Sequence, residues 1–282
     1  MSGRAAARPP SHAFAQALDD RILRFTDARG QLAAGNRRRW LMPALFAGIS
    51  AALVAWALVP LIPLAPSFNG LASIDLDLYL AAARRWVDGG SFYQAYQLQG
   101  PYTIAYGDIL YPPVVLWLLV PFLVLPTILW WIVPLVVTTW GIARLRPSFV
   151  VWPLLALCIA WPPTAVRIAS GNPVMWIVAA LTLGVVVVGP AVLAFLKPSL
   201  FPFAFWGSHR RRWWLWLAVF VALCVPFGMM WRDWLVTVMN SQGGGLLYSA
   251  QELPMLFFPI IAWIGRRRVV LGPLDSASSV PG

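Results

Sequence analysis

Residues 112–143 read PPVVLWLLVPFLVLPTILWWIVPLVVTTWGIA, with no charged side chain anywhere in the stretch. Continuous apolar sequence of this length reads as membrane-embedded helix. It lacks the alternation of apolar and polar residues that a membrane β-strand needs. The stretch divides into runs at about 112–124 and 127–143. Further runs lie at about 40–64, 148–161, 172–189, 191–207, 213–230 and 254–265. Over the 282 residues, 60% are apolar and 11% charged, against roughly 45–50% and about 25% in a soluble domain. A core of this size cannot hide so much apolar surface, so a water-soluble enzyme is excluded, and so is intrinsic disorder. The expected fold is all-α: a polytopic integral membrane protein of about eight transmembrane or re-entrant helices. Several runs would rise only about 18–24 Å, less than the ~30 Å hydrocarbon core, which implies tilt, kinks at proline, or re-entry.

All but one of the 21 basic residues are arginine, the exception being Lys197. The formal net charge is +11, yet the arginines cluster at the ends of apolar runs. That pattern sets membrane orientation and gives no reason to expect nucleic acid as a partner. Arg37, Arg38 and Arg39, then Arg210, Arg211 and Arg212, then Arg266, Arg267 and Arg268 are expected on the cytoplasmic face. The protein would sit in the plasma (inner) membrane with its N-terminus in the cytoplasm. Residues 1–39 form a cytoplasmic segment in which Phe14, Leu18, Ile22 and Phe25 recur at helical spacing. Residues 40–265 form the membrane domain and 266–282 a short cytoplasmic tail. Eight spans satisfy the parity of the arginine clusters but leave Arg144 and Arg146 outside. Six spans, with 112–143 and 172–207 each crossing once, put those two arginines inside. Eight is the favoured count. Under either, Asp75, Asp77, Asp88, Asp108, Asp233 and Glu252 face outward, in loops at about 65–111 and 231–253. Cys158 and Cys224 fall within apolar runs and read as buried thiols.

Within the first outer loop, IDLDLYLAAARRWVDGG (74–90) reads as one helix. Ser73 or Asp75 can cap its start, and Gly89-Gly90 stops it. Leu76, Leu80, Ala83 and Val87 form an apolar stripe. Asp77, Arg84 and Asp88 form a polar flank, with Arg84 able to pair with Asp88. Asp75, Tyr79, Ala82 and Trp86 form the other flank. The helix is therefore amphipathic and lies at the membrane surface. Asp75 has aromatic neighbours and no basic residue on its own face, which suits a proton acceptor. The alternative reading is an acid favoured only by the helix dipole. On a helix, Asp75 and Asp77 diverge by about 200°, so they cannot share one metal ion unless the turn unwinds. A divalent cation is open but not favoured, no metal ligand is assigned, and no other cofactor is implied.

Asp-Leu-x-x-Tyr-x-x-Ala-Ala from Asp75, Gly-Gly-x-x-Tyr from Gly89, and Leu-Tyr-Pro-Pro from Leu110 occur in that order. Gly171-Asn172 then opens a helix, Leu196-Lys197-Pro198 carries the lone lysine, and Tyr248-Ser249-x-x-Glu252-Leu253-Pro254 closes the second outer loop. Over roughly residues 40–265 this set resembles the polyprenyl-phosphate-mannose-dependent mannosyltransferases of the GT-C superfamily, the branch that includes phosphatidylinositol-mannoside mannosyltransferases. The resemblance implies a membrane glycosyltransferase. It would move a hexose, mannose by analogy, from a lipid-linked sugar donor to a hydroxyl of a glycolipid or glycan acceptor outside the cytoplasm. Asp75, with Asp77 second, would be the catalytic base, and the anomeric centre would invert. Cations on the leaving phosphate would come from Lys197 and from Arg84 or Arg85. Lys197 could instead snorkel to an interface. Tyr79, Trp86, Tyr111, Asn172, Tyr248, Gln251 and Glu252 would contact substrate.

Family members usually run longer after the second outer loop. The short C-terminal part raises the expectation of a minimal enzyme, a fragment, an inactive relative, or a subunit completed by a membrane protein partner. The competing function is therefore a non-catalytic membrane scaffold. A transporter is disfavoured because no inverted repeat is visible. A nucleotide-sugar enzyme is disfavoured because no Gly-rich phosphate loop occurs.

Overall fold

The computed structural model describes residues 44–52, 55, 73–105, 107–242 and 250–266. A helix occupies 44–52, inside the expected first span. The helix expected around 14–25 and the tail from 267 onward lie outside the described residues. Helix dominates what is described. The elements are α1 (Ile74–Val87), α2 (Ala95–Gln99), β1 (Tyr102–Thr103), α3 (Leu116–Leu119), α4 (Leu129–Leu145), α5 (Trp152–Ala160), α6 (Pro162–Ala169), α7 (Val174–Val187), α8 (Phe201–Ala204), α9 (Arg211–Cys224), α10 (Met230–Asn240), β2 (Ser241–Gln242) and α11 (Leu253–Ile264). Short 3-10 turns flank several of them, so the all-α expectation holds.

The centre is α7, apolar on every side and buried along most of its length, as a helix without a polar face must be. Small residues let its neighbours approach. A Cβ added at Gly141 of α4 would lie 2.3 Å from Thr182 of α7, and one at Gly184 would lie 2.8 Å from Ala191. The outer helices are apolar as well, and their free faces stay so. Leu135 on α4 is 66% exposed and Leu215 on α9 67%.

Contacts at the helix ends fix the direction of each element. The α4 start meets the α7 start, where the Trp130 indole donates to the Gly171 carbonyl at 2.8 Å. Leu145, Val185 and Ala262, near the other ends of α4, α7 and α11, share a second small cluster. These three helices run the same way, and α5 and α9 return. One end of the bundle therefore gathers Arg144, Arg146, His209, Arg210, Arg211, Arg212 and Arg266. The opposite end gathers the six described acids, Asp75, Asp77, Asp88, Asp108, Asp233 and Glu252.

Two of the expected spans do not traverse the bundle. The segment after Tyr111 begins beside Asn172, and Phe122 still packs on Trp130 and Trp176. It stays at the acidic end. Residues 190–206 leave the basic end and come back to it: a Cβ at Gly207 would lie 2.9 Å from Val188, and Trp206 stacks edge-on against Trp263. This hairpin of 3-10 turns and α8 has Lys197 at its tip, where Pro198 prevents a continuous helix. These two of the eight expected transmembrane or re-entrant segments are re-entrant within the bundle, and Arg144 and Arg146 lie at the same end as Arg210, Arg211 and Arg212. Among the described residues no single helix is long and apolar enough to cross a membrane. Two bent pairs reach that length together: Phe149–Ala160 with Pro162–Ala169 at 59°, and Arg211–Phe227 with Met230–Asn240 at 95°.

The acidic end is roofed by α1, α2 and α10. The two loops that carry the acids are joined here. β1 and β2 pair in parallel, the Asn240 amide donates to the Gln97 carbonyl at 2.9 Å, and the Trp234 indole donates to the Leu110 carbonyl at 3.1 Å. Cys158 is buried and Cys224 half-buried, both as free thiols.

Candidate functional site

Helix α1 lies across the acidic end, from α6 to Phe227, on which Trp86 packs. Its first-turn N–H groups have no partners within the helix. The carbonyls at the end of α6 supply them. Ser73 N–H donates to the Ala169 carbonyl at 3.1 Å, and the N–H groups of Asp75 and Leu76 donate to the Ser170 carbonyl at 2.9 and 3.1 Å. Complementary helix ends thus meet, with their dipoles favourably arranged. Ser73 precedes the helix in a left-handed conformation and makes no side-chain cap; its hydroxyl donates to Asp77 at 2.6 Å instead. Gly171 follows with φ +73, and a Cβ there would lie 2.9 Å from the Leu76 Cβ. Only glycine fits this approach. Gly89, with φ +88, ends α1 as expected.

This anchoring sets the rotation of α1. Leu76, Tyr79, Ala82 and Ala83 are buried, while Val87, expected on the apolar stripe, is 53% exposed. The flank that carries Asp75 therefore turns into the protein, and Asp77, Arg84 and Asp88 face outward. The Arg84–Asp88 pair does not form. The two aspartates part as the helical period requires.

The Asp75 side chain is 13% exposed. Its Oδ2 accepts from the Ser170 hydroxyl and from the Asn172 amide, each at 2.8 Å, and lies 3.7 Å from the Arg167 guanidinium. Both hydrogen bonds and the ion pair meet Oδ2, and Oδ1 has none of them. The Asn172 carbonyl oxygen accepts from the Tyr111 hydroxyl and from Val174 N–H, each at 3.1 Å. That fixes which way the amide faces. Tyr79 packs edge-on against Tyr111, and the Lys197 ammonium lies 5.5 Å from the Tyr111 ring centroid.

Lys197 is the lone lysine of the chain, and Glu252 is the lone glutamate. They meet. Lys197 Nζ donates to both Glu252 oxygens, at 2.7 and 2.6 Å, with the two side chains 4% and 1% exposed. Arg167 Nε completes the circuit 3.3 Å from Glu252. Asp75, Asn172, Tyr111, Lys197, Glu252 and Arg167 therefore form a closed ring with two positive and two negative charges. Arg167 is the most exposed of the four charged members, at 32%.

Among the residues nominated from sequence, Asp75, Tyr79, Tyr111, Asn172, Lys197 and Glu252 come together. Others do not. Arg85 donates to the carbonyls of Ser91 and Phe92 at 2.6 and 2.8 Å and steadies the turn after α1. Arg84 and Asp77 are exposed, and Trp86 packs away from the ring. Gln251 is exposed and offers its backbone carbonyl to the Trp161 indole at 3.0 Å. Tyr248 lies outside the described residues. Sequence reasoning missed Arg167 and Ser170. A signal was available, because Arg167 is an arginine between two apolar runs at the end where the acids gather, against the charge rule. Compared with protein-family models, curated proteins and solved structures, the chain matches none.

Proposed function

We propose that the chain is a membrane glycosyltransferase that moves a hexose, mannose by the resemblance above, from a polyprenyl-phosphate donor to a hydroxyl of a glycolipid or glycan at the acidic end. The observation that carries this reading is Asp75 itself, a carboxylate whose one oxygen is held by donors and whose other oxygen meets none among the described residues. Oδ1 would accept the proton of the attacking hydroxyl. The bond from that oxygen to the anomeric carbon forms as the bond to the phosphate oxygen breaks, and the electron pair leaves with the phosphate. Arg167 supports the leaving charge as the accessible cation, while Lys197 beneath it stays paired with Glu252. Arg84 and Arg85 have no part in this scheme.

The membrane reading rests on the apolar outer faces of α4, α5 and α9. Exposed to water, a surface of this extent would associate or aggregate. Six traverses, counting the segment around 44–52, would leave the acidic end outside and Arg144, Arg146 and Arg210–Arg212 in the cytoplasm.

The test is turnover of purified protein with polyprenyl-phosphomannose and a panel of glycolipid acceptors. Asp75→Asn, which preserves the shape and one acceptor oxygen, is expected to lower turnover roughly 10²–10⁴-fold with thermal unfolding unchanged. Unchanged turnover removes Asp75 from the chemistry. One observation favours a second reading, a non-catalytic subunit: the four charges of the ring neutralise one another and clasp α11 to the hairpin. Parent protein inactive with every acceptor favours that reading.

A further inference from the structure

We propose that the basic end carries a binding site for the phosphate headgroup of an anionic membrane lipid. A cavity of about 800 Å³ opens between the end of α7 and the start of α9, lined by residues 186–188 and 209–212. That lies within the range of about 300–1,000 Å³ typical of ligand clefts. Its walls differ in kind. One is Val186, Val187 and Val188; the other is His209, Arg210, Arg211 and Arg212. Arg210 Nε donates to His209 Nε2 at 3.3 Å, and the three arginines are exposed.

Three successive guanidinium groups repel one another, and among the described residues every acid lies at the opposite end of the bundle. No described acid pairs with these three arginines, and the planar fork of arginine fits phosphate oxygens two at a time. The chain accepts strain to shape the other wall. Val188, a β-branched residue, sits at φ 57, and Gly189 at φ 134 lies against the Trp216 ring. Such conformations persist only where the surroundings impose them.

The surface beside the cavity points to a lipid as the source of the phosphate. Val187 is 45% exposed, Trp214 59% and Leu215 67%, so an apolar track runs from the cationic wall along α9. A headgroup in the cavity would lay an acyl chain on that track. Basic pockets between helices at a cytoplasmic surface recognise lipid headgroups in this way. The inference rests on the membrane reading and is independent of the transfer chemistry.

The test is lipid retention by the full chain in lipid nanodiscs of equal phosphatidylglycerol and phosphatidylcholine, read by native mass spectrometry after extraction. Phosphatidylglycerol is expected to stay bound in preference. Arg210→Gln with Arg211→Gln is expected to weaken that preference about tenfold or more. Arg144→Gln with Arg146→Gln removes as much charge from the same end but spares the cavity, and is expected to leave it within about twofold. Val187→Trp fills the cavity without touching charge and is expected to reduce retention too, which keeps the test decisive if the double arginine variant misfolds. Equal loss in both arginine pairs overturns the site in favour of diffuse surface charge. Displacement of the lipid by inorganic phosphate at similar concentration overturns the lipid as its source. Entry into the discs without lipid preference overturns the site alone. Failure to enter them overturns the membrane reading and the site with it.

Discussion

The two ends of the bundle handle charge in opposite ways. At the acidic end, Asp75, Arg167, Lys197 and Glu252 touch one another, and exposure falls from 32% at Arg167 to 1% at Glu252. At the basic end Arg144, Arg146, Arg210, Arg211 and Arg212 stand at the surface with no described acid near them. Burying a charge is tolerable only beside its opposite, so pairing lets the acidic end hold ionised groups inside the protein. Like charges must stay where water or an external anion can reach them. One end thus encloses paired charges in fixed geometry, and the other presents like charges at the surface.

The largest expected effect comes from breaking the buried pair. Glu252→Gln alone leaves the Lys197 ammonium in a dry setting without its anion and is expected to cost about 3–5 kcal/mol of stability, whereas Lys197→Met leaves Glu252 with Arg167 and is expected to cost less. Replacing both, with Lys197→Met and Glu252→Leu, is expected to recover most of that, because apolar groups of similar size need no partner. Arg210→Gln at the other end should stay within about 0.5 kcal/mol, as exposed substitutions do. Denaturant unfolding in detergent measures all four. Single variants as stable as the parent would mean that water reaches the pair, and the contrast between the ends would fail.

Next in size are two glycines, one at each end, both in conformations that L-residues resist. Gly171→Ala and Gly189→Ala each carry strain of about 1–3 kcal/mol from the backbone alone. Their surroundings differ. At Gly171 the new methyl would meet the root of Leu76, 2.9 Å away, whose position is fixed by α1. At Gly189 it would meet the Trp216 ring at 1.9 Å, but that side chain is 44% exposed and can swing aside. Gly171→Ala is therefore expected to push α1 from Asn172 and to lower transfer at least about tenfold, a displacement of an ångström being enough. Gly189→Ala is expected to keep transfer and lose lipid retention. The reverse outcome would mean that the ends are coupled through α7.

Much of this contrast can be read in the sequence, for reasons that also mark where reading fails. Helix α1 and its glycine stop followed from period and turn chemistry, which are local. The gathering of Asp75, Tyr79, Tyr111 and Asn172 near Lys197 and Glu252 depends on distant contacts. It was reached through the order of motifs rather than through spacing. Arg167 stands out only as an arginine between two apolar runs, and its two partners lie far off in the chain, so no local pattern assigns them. Hydropathy has no direction, so a hairpin that returns to its own side looks the same as a span. That is why 112–124 and 191–207 read as crossings. Arg144 and Arg146, which eight full crossings would set apart from the other arginine clusters, were the clue that some runs turn back.

The smallest effect separates two carboxylates of the acidic end. Asp108, buried like much of that roof, uses both oxygens: Oδ1 accepts from the Tyr96 hydroxyl, and Oδ2 from Ala105 N–H at 2.7 Å. Asp75 uses one. If a free oxygen is what makes Asp75 a base, Asp108→Asn should leave transfer unchanged. A different quantity should move instead. The hydrogen bond to Asp108 pushes Tyr96 from its ordinary 10.0 up to about 12, because the phenol must keep its proton to donate. The folded chain therefore holds that proton where the unfolded chain loses it. The stability this confers is complete below pH 10 and disappears as pH rises from about 10 to about 12. Phenolate absorbance should show one tyrosine titrating near 12 that Tyr96→Phe removes and Asp108→Asn returns toward its ordinary value. Loss of transfer in Asp108→Asn, with that titration shifted as expected, would remove the distinction between the two aspartates. The case for Asp75 would then need support from something other than its free oxygen.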